Sequence, residues 1–263
     1  MKPAPLRYVS AETVEEALDA VAGDEAKVLA GGQSLMPALN MRLVRPATLV
    51  DINHVRELDN ISHEKGSLVV GATVRQADDR LLEHPLLREA LPHVGHFVTR
   101  NRGTVCGSVA HADAAAELPL CLVLLSGAVR VRSARAEREI AARDFFVTHF
   151  TTALEPGELV VETVWPEPQD GWGYAFCELA QRHGDYALCM AAAAARADEL
   201  HVAVGSVTDR PTLLEVDPDR PGESAAAQVE PWGNVHAPAE YLRHLVRVLV
   251  DRAVAVARER ASA

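Results

Sequence analysis

Cysteine is scarce and scattered. The 263 residues hold four, Cys106, Cys121, Cys177 and Cys189, and no two of them form a Cys-x-x-Cys pair. The chain therefore lacks its own ligand pattern for an iron–sulfur cluster or a zinc site. Isolated thiols, with no leader-like segment at the start, lead to the expectation of reduced cysteines and a cytoplasmic chain. Basic blocks are missing too: 26 Lys and Arg face 37 Asp and Glu, a formal charge of −11. A nucleic-acid binder needs the opposite sign. No long apolar run exists. The longest, Leu118 to Val131, is broken by Pro119, Ser126 and Gly127, short of the roughly 20 residues a membrane span requires. There is no Gly-x-Ser-x-Gly elbow for a hydrolase nucleophile. Neither standard nucleotide fingerprint, G-x-G-x-x-G or G-x-x-x-x-G-K-[ST], occurs.

Two stretches of small residues stand out instead. In KVLAGGQSLMPALNMRL, Lys27 to Leu43, a short apolar strand ends in Gly31-Gly32, followed by Gln33-Ser34 and a helical pattern. In TRNRGTVCGSVAHADAAAELP, Thr99 to Pro119, Gly103 and Gly107 flank Thr104, Val105 and Cys106, with Ser108 next. A glycine turn opening onto a helix favours anions, because free N–H groups and the helix dipole both point positive charge outward. Glycine removes the Cβ that would keep a phosphate at a distance, and Ser34, Thr104 and Ser108 add hydroxyl donors. One such turn is usually only a turn; two suggest a long ligand with two phosphates. Lys27 serves equally as a charge at the first turn or as a surface lysine. Asp113 and Glu117 lie one helical turn apart, a spacing that suits an acid–base pair or a helix N-terminal acid with a surface charge.

Pattern predicts strands at 6–9, 27–30, 48–52, 67–72, 128–132, 139–140, 158–165, 174–179, 201–207 and 213–216. It predicts helices after Ser10, at 35–43, 74–84, 85–98 and 114–125, in alanine-rich 186–196, and over 238–260, where Leu242, Leu245, Val246, Leu249, Val250 and Ala253 form one stripe. Residues 145–151 read as a short helix or turn, and 217–233 as a surface loop. His93 and His96, with no partner cluster in sequence, read as satisfied or surface histidines. Pro166 to Gly173 is the best linker. The expected organisation is α+β: residues 1–166, in two small α/β subdomains of about 1–53 and 54–166, then a sheet-plus-helices unit at 174–263.

The stretches 30–53 and 99–119 resemble the paired FAD-binding motifs of the flavoprotein (medium) subunit of molybdenum hydroxylases, the xanthine dehydrogenase and carbon monoxide dehydrogenase family. RHGDYAL at 182–188 matches where that family's C-terminal domain begins, so the resemblance spans nearly the whole chain. It implies FAD held by residues 27–34 (Lys27, Val28, Leu29, Ala30, Gly31, Gly32, Gln33, Ser34) and 104–108 (Thr104, Val105, Cys106, Gly107, Ser108). Asp113 and, more weakly, Glu117 would lie near the flavin, and the backbone of Leu159 at the adenine. Cys106 departs from the family's usual glycine: it either packs as a small residue with negative φ or strains the turn. Gln33 stands where many relatives carry histidine.

The function implied is electron transfer from [2Fe–2S] clusters in a small partner subunit, through FAD, to an external acceptor. A molybdenum–pterin cofactor would sit in a large partner subunit. The assembly implied is a dimer of heterotrimers. No catalytic acid, base or metal ligand is expected in this chain. A stand-alone flavin oxidoreductase, and a non-enzymatic assembly module that has lost FAD, remain open beside this reading.

Overall fold

The computed structural model describes residues 2–23 and 25–262. The first unit runs β1 (Arg7–Ser10), α1 (Val14–Val21), β2 (Ala26–Leu29), α2 (Leu35–Asn40) and β3 (Thr48–Asp51). Its three strands are parallel, in the order β1-β3-β2. The α1 face predicted from spacing, Val14, Ala17, Leu18 and Val21, is buried. Its cap is Thr13, whose side chain accepts from the Glu16 N–H, and Ser10, a candidate cap by its place before the helix, ends β1.

The second stretch of chain contributes β4 (Ile61–Glu64), β5 (Ser67–Gly71), α3 (Pro85–Ala90), α4 (Phe97–Arg100), α5 (Val105–His111) and α6 (Glu117–Leu124). It continues with β6 (Ala128–Arg132), β7 (Glu137–Ala141), α7 (Ala142–Phe145), β8 (Phe146–Thr148), β9 (Thr151–Thr152) and β10 (Leu159–Pro166). An antiparallel five-stranded sheet has the order β4-β5-β10-β6-β7, and β8 pairs with β9. Every residue of α6 is buried, as expected for a helix apolar all round. Two helix expectations shrink here. Residues 74–84 form only a 3-10 turn over Asp79–Glu83. The 85–98 helix breaks after Ala90, since Pro92 has no N–H for the ladder, and it resumes as α4. Residues 145–151 hold the end of α7 and the start of the β8–β9 hairpin.

The C-terminal stretch has β11 (Gly173–Ala180), β12 (Ala187–Arg196), β13 (Glu199–Gly205) and β14 (Thr212–Leu214), an antiparallel sheet in sequence order. Helices α8 (Pro221–Gln228) and α9 (Ala239–Ala261) follow. The alanine-rich segment expected to be helical is thus the central strand β12. Its two faces enter two cores: Met190, Ala192 and Ala194 meet the large core shared with the first 165 residues, while Cys189, Ala191, Ala193 and Ala195 meet α9. A strand covered on both faces reads as an unbroken apolar run, and small side chains let helices approach both sides. Burial outweighs alanine's intrinsic helix preference, which is worth only tenths of a kcal/mol per residue. The 217–233 loop likewise contains α8, docked on α9. The α9 stripe is buried as its spacing predicts.

Candidate functional site

Parallel strands leave their C-terminal ends as the natural place for a ligand. The ends of β2 and β3 open into a cleft of about 490 Å³, within the usual range for small-molecule sites. Leu29, Ala30, Gly31, Gly32 and Gln33 line one side; Met36, Pro37 and Asn40 of α2, Asp51 and Asn53 beyond β3, and Arg102 complete it. Gly31 is buried, and a Cβ there would strike the Arg102 carbonyl and sit 2.7 Å from Gly103 Cα. The two glycine stretches, some seventy residues apart in sequence, therefore touch backbone to backbone. Gly32 has φ +73°, a region L-residues seldom occupy. The Gln33 amide donates back to Gly31 O at 3.3 Å.

A chain of hydrogen bonds ties the cleft walls together. Tyr8 OH donates to Asp51 Oδ2 at 2.6 Å. The Asn53 side-chain amide donates to Asp51 Oδ1 at 2.6 Å and to Ala30 O at 2.8 Å. Arg75 donates to Asn53 Oδ1 at 2.7 Å and to Arg102 O at 2.6 Å. Burial by itself would raise the Asp51 pKa, but the hydrogen bonds from Tyr8 and Asn53 outweigh it and hold the carboxyl below its ordinary value. Asp51 is a charge already spoken for, while Arg102 is a guanidinium on the lip.

The second stretch is organised differently. Thr104 caps α5, its Oγ1 accepting from Gly107 N at 3.0 Å. Val105 and Cys106 are buried. The Cys106 thiol donates to Val70 O at 3.3 Å, and burial pushes its pKa up to about 12. Cys106 lies within α5 and is absent from the positive-φ positions, so it packs as a small apolar residue. Arg100 turns away to cap the Val94 and Gly95 carbonyls at 3.0 Å.

The remaining expected site residues scatter. Lys27 and Val28 lie on β2 and Ser34 stands at the N-terminal position of α2 without a side-chain cap bond, all outside the cleft lining, with Lys27 exposed. Gly107 and Ser108 are partly exposed on α5. Asp113 is buried, its Oδ1 accepting from Ala115 N at 2.9 Å and lying 3.7 Å from His149 Nε2. Glu117 is buried at the start of α6; burial, chiefly, lifts its pKa to about 8, aided by the charge of Glu178. Leu159 is buried at the start of β10 opposite Arg132. His93 is 3.7 Å from Glu178, and His96 packs against Gly184. Among the described residues no group of three or more His, Cys, Asp or Glu side chains could hold a metal ion. The sequence pattern singles out none of Arg75, Met36, Asn40 and Arg102, and gives Asp51 and Asn53 only a place near the end of the 30–53 motif. The one available signal was that 51–53 closes the first motif.

The donors fit a diphosphate-bearing ligand: glycine backbone at the lip, a guanidinium beside it, and a neighbouring carboxylate satisfied by protein donors. Comparison with known proteins gives the class first. Residues 4–168 match the family model described as the FAD binding domain in molybdopterin dehydrogenase, which makes this an FAD-binding oxidoreductase chain. It is 40% identical to 6-hydroxypseudooxynicotine dehydrogenase complex subunit alpha of Paenarthrobacter nicotinovorans, covering 99% of this chain and 97% of that one. It is 35% identical to the nicotine 6-hydroxylase medium subunit of the same organism, over 97% and 98%. Its fold matches a chain of quinoline 2-oxidoreductase from Pseudomonas putida 86 with TM-score 0.93 and 34% identity, across 100% of both chains. Reconstituted CO dehydrogenase from Oligotropha carboxidovorans matches with TM-score 0.93 and 29% identity, over 99% and 100%. The chain belongs to the family of FAD-binding medium subunits of molybdenum hydroxylases.

Proposed function

We propose that FAD binds non-covalently with its pyrophosphate at the Ala30–Ser34 loop and Arg102, where Gly31 meets the second stretch. Backbone N–H groups of Gly31 and Gly32 and the hydroxyl of Ser34 would hold phosphate oxygens. From the second stretch, Thr104 to Ser108 would wall the site, with Ser108 as hydroxyl donor and Val105 and Cys106 as buried support. Lys27 would add charge at the rim and Val28 and Leu29 the strand beneath. Asp113, and Glu117 behind it, would lie toward the flavin ring, and the Leu159 backbone toward the adenine. When bound, FAD supplies the redox chemistry; the chain binds, orients and shields it. The observation that carries this reading is the backbone contact between the two glycine stretches across the cleft.

The wider reading is an electron-transfer subunit of a heterotrimer, assembled as a dimer of heterotrimers in the cytoplasm. A large partner would hold molybdenum–pterin and a small one two [2Fe–2S] clusters, and electrons would leave for an external acceptor. The support is that the relatives are named as complex subunits, and that among the described residues no helix is long and apolar enough to cross a membrane. We take 1–166, with subdomains 1–53 and 54–166, as the FAD-binding part and 174–263 as the C-terminal part. The separate sheets favour that division, although the large core runs across the joint.

Denaturing the purified chain tests the cofactor. Release of FAD, with flavin absorbance in the native protein, is the expected result. Release of FMN, or a colourless chain that gains no flavin spectrum on adding FAD, overturns it. Co-purification with two further chains is expected in the native host.

A further inference from the structure

Arg75 comes from a segment stitched to the second glycine stretch. Gln76 N donates to Gly103 O at 2.9 Å, Val105 N donates to Val74 O at 3.1 Å, and Arg75 pairs with Thr104 between them. The Arg75 backbone is thereby fixed to one wall of the cleft. Its guanidinium then forks. One nitrogen donates to Arg102 O, the carbonyl that faces Gly31; the other donates to Asn53 Oδ1. Asn53 in turn holds Ala30 O, on the opposite wall, and Asp51. Both ends of the Asn53 amide are occupied, so the side chain cannot turn without breaking a bond. Among the described residues, the planar, charged fork spans from Arg102 to the amide holding Ala30. A lysine, with one nitrogen on a flexible stem, does not reproduce such a fork.

We propose that Arg75 is a positioning residue: its guanidinium, acting through Asn53 and the Arg102 carbonyl, sets the separation of the two loops that receive the dinucleotide pyrophosphate. The proposal rests on the FAD reading given above. Burial, and then the Arg102 charge, lower the Arg75 pKa from its ordinary value, against the opposing charges of Asp59 and Asp51.

The test uses the full chain, stripped of flavin, as wild type, Arg75→Lys, Arg75→Met, Asn53→Ala and the double variant Arg75→Met/Asn53→Ala. FAD affinity is read by quenching of flavin fluorescence. Amide hydrogen exchange at residues 30–34 and 102–104 is read with no ligand present. Arg75→Met is expected to weaken FAD by roughly 30-fold, the scale of a lost charge-assisted pair of bonds. It should also speed exchange in both loops. Arg75→Lys, which keeps the charge and loses the fork, is expected to recover only part of the affinity. The double variant should lose little beyond Arg75→Met, because the two residues act as one unit. Wild-type affinity in Arg75→Lys reduces Arg75 to a point charge and overturns the proposal. So does unchanged exchange in Arg75→Met, or in Asn53→Ala should Arg75→Met fail to fold. A wild-type chain that binds no FAD defeats the cofactor reading instead, and the exchange measurement still decides whether Arg75 holds the loops.

Discussion

Gly31 and Gly107 both stand just before or within a short helix, beside residues able to donate to an anion, yet their backbones face different things. Gly31 touches the Arg102–Gly103 backbone beside an open cleft, with Gly32 at φ +73° next to it. Gly107 gives its N–H to Thr104 Oγ1, and a Cβ on it would sit 2.6 Å from that same hydroxyl. The first glycine lets two distant loops approach. The second lets a helix start close tightly on its own cap. Similar local composition thus borders a ligand-sized opening in one place and closes a helix cap in the other, and what separates them is which backbone or side chain each glycine faces.

Gly31→Val gives the largest expected effect, since a branched side chain would drive the two loops apart. FAD affinity should fall by about 100-fold, or about 2.7 kcal/mol, with about 1–3 kcal/mol lost from folding through overpacking; flavin titration and thermal melting read the two separately. Gly107→Ala should be milder for flavin. The cost to the Thr104 cap, about 1 kcal/mol, is set against about 1 kcal/mol gained in helix preference on replacing glycine, and FAD affinity stays within about threefold, under 0.7 kcal/mol. Equal flavin loss in both variants would break the comparison.

Cys106→Gly sharpens it further. A glycine in α5 costs about 1 kcal/mol in helix preference, and removing the buried thiol adds a small cavity. FAD affinity should stay close to the natural value, and thiol labelling of the native chain should be slow, because a thiol pushed to about 12 carries little thiolate. A tenfold gain in affinity on Cys106→Gly would mean that the natural residue strains the site.

The effects on pH dependence have opposite signs in the two regions. Asp51, beside the first loop, has its pKa held below the ordinary 3.8. Its stabilisation is present above that value and is lost as pH falls through the lower folded one. Glu117, beyond the second stretch, is raised from 4.5 to about 8. Its contribution is full below pH 4.5 and is lost as pH rises toward 8. Asp51→Asn should flatten the acid limb of a stability-against-pH curve, and Glu117→Gln the limb between 4.5 and 8. Denaturant midpoints across that range measure both.

Local signals carried a good deal of the fold. The α1 face, the turn at Gly31-Gly32 and the α9 stripe repeat within one or two helical turns or alternate along one strand, so neighbouring residues suffice to reveal them. The same locality misled at 186–196, where five consecutive alanines, Ala191 to Ala195, carry no alternation of polarity to mark a strand. The cleft follows the first motif because a glycine turn after a strand is a local feature. Arg75 stayed hidden because nothing around it in sequence distinguishes it from a surface arginine.

The order of residues alone determined that the chain would open with a strand–helix–strand unit ending in glycine, would end in a long one-faced helix, and would carry no metal-ligand pattern in its cysteines. Those properties come from backbone sterics and short-range periodicity. The tertiary structure decided the rest: that alanines between two helix-covered faces form the strand β12, that Gly31 and Arg102 come within contact, and that Arg75 bridges Asn53 to the facing loop. Each depends on which surfaces meet across tens of residues, where burial and hydrogen-bond satisfaction outweigh the few tenths of a kcal/mol that local preference supplies.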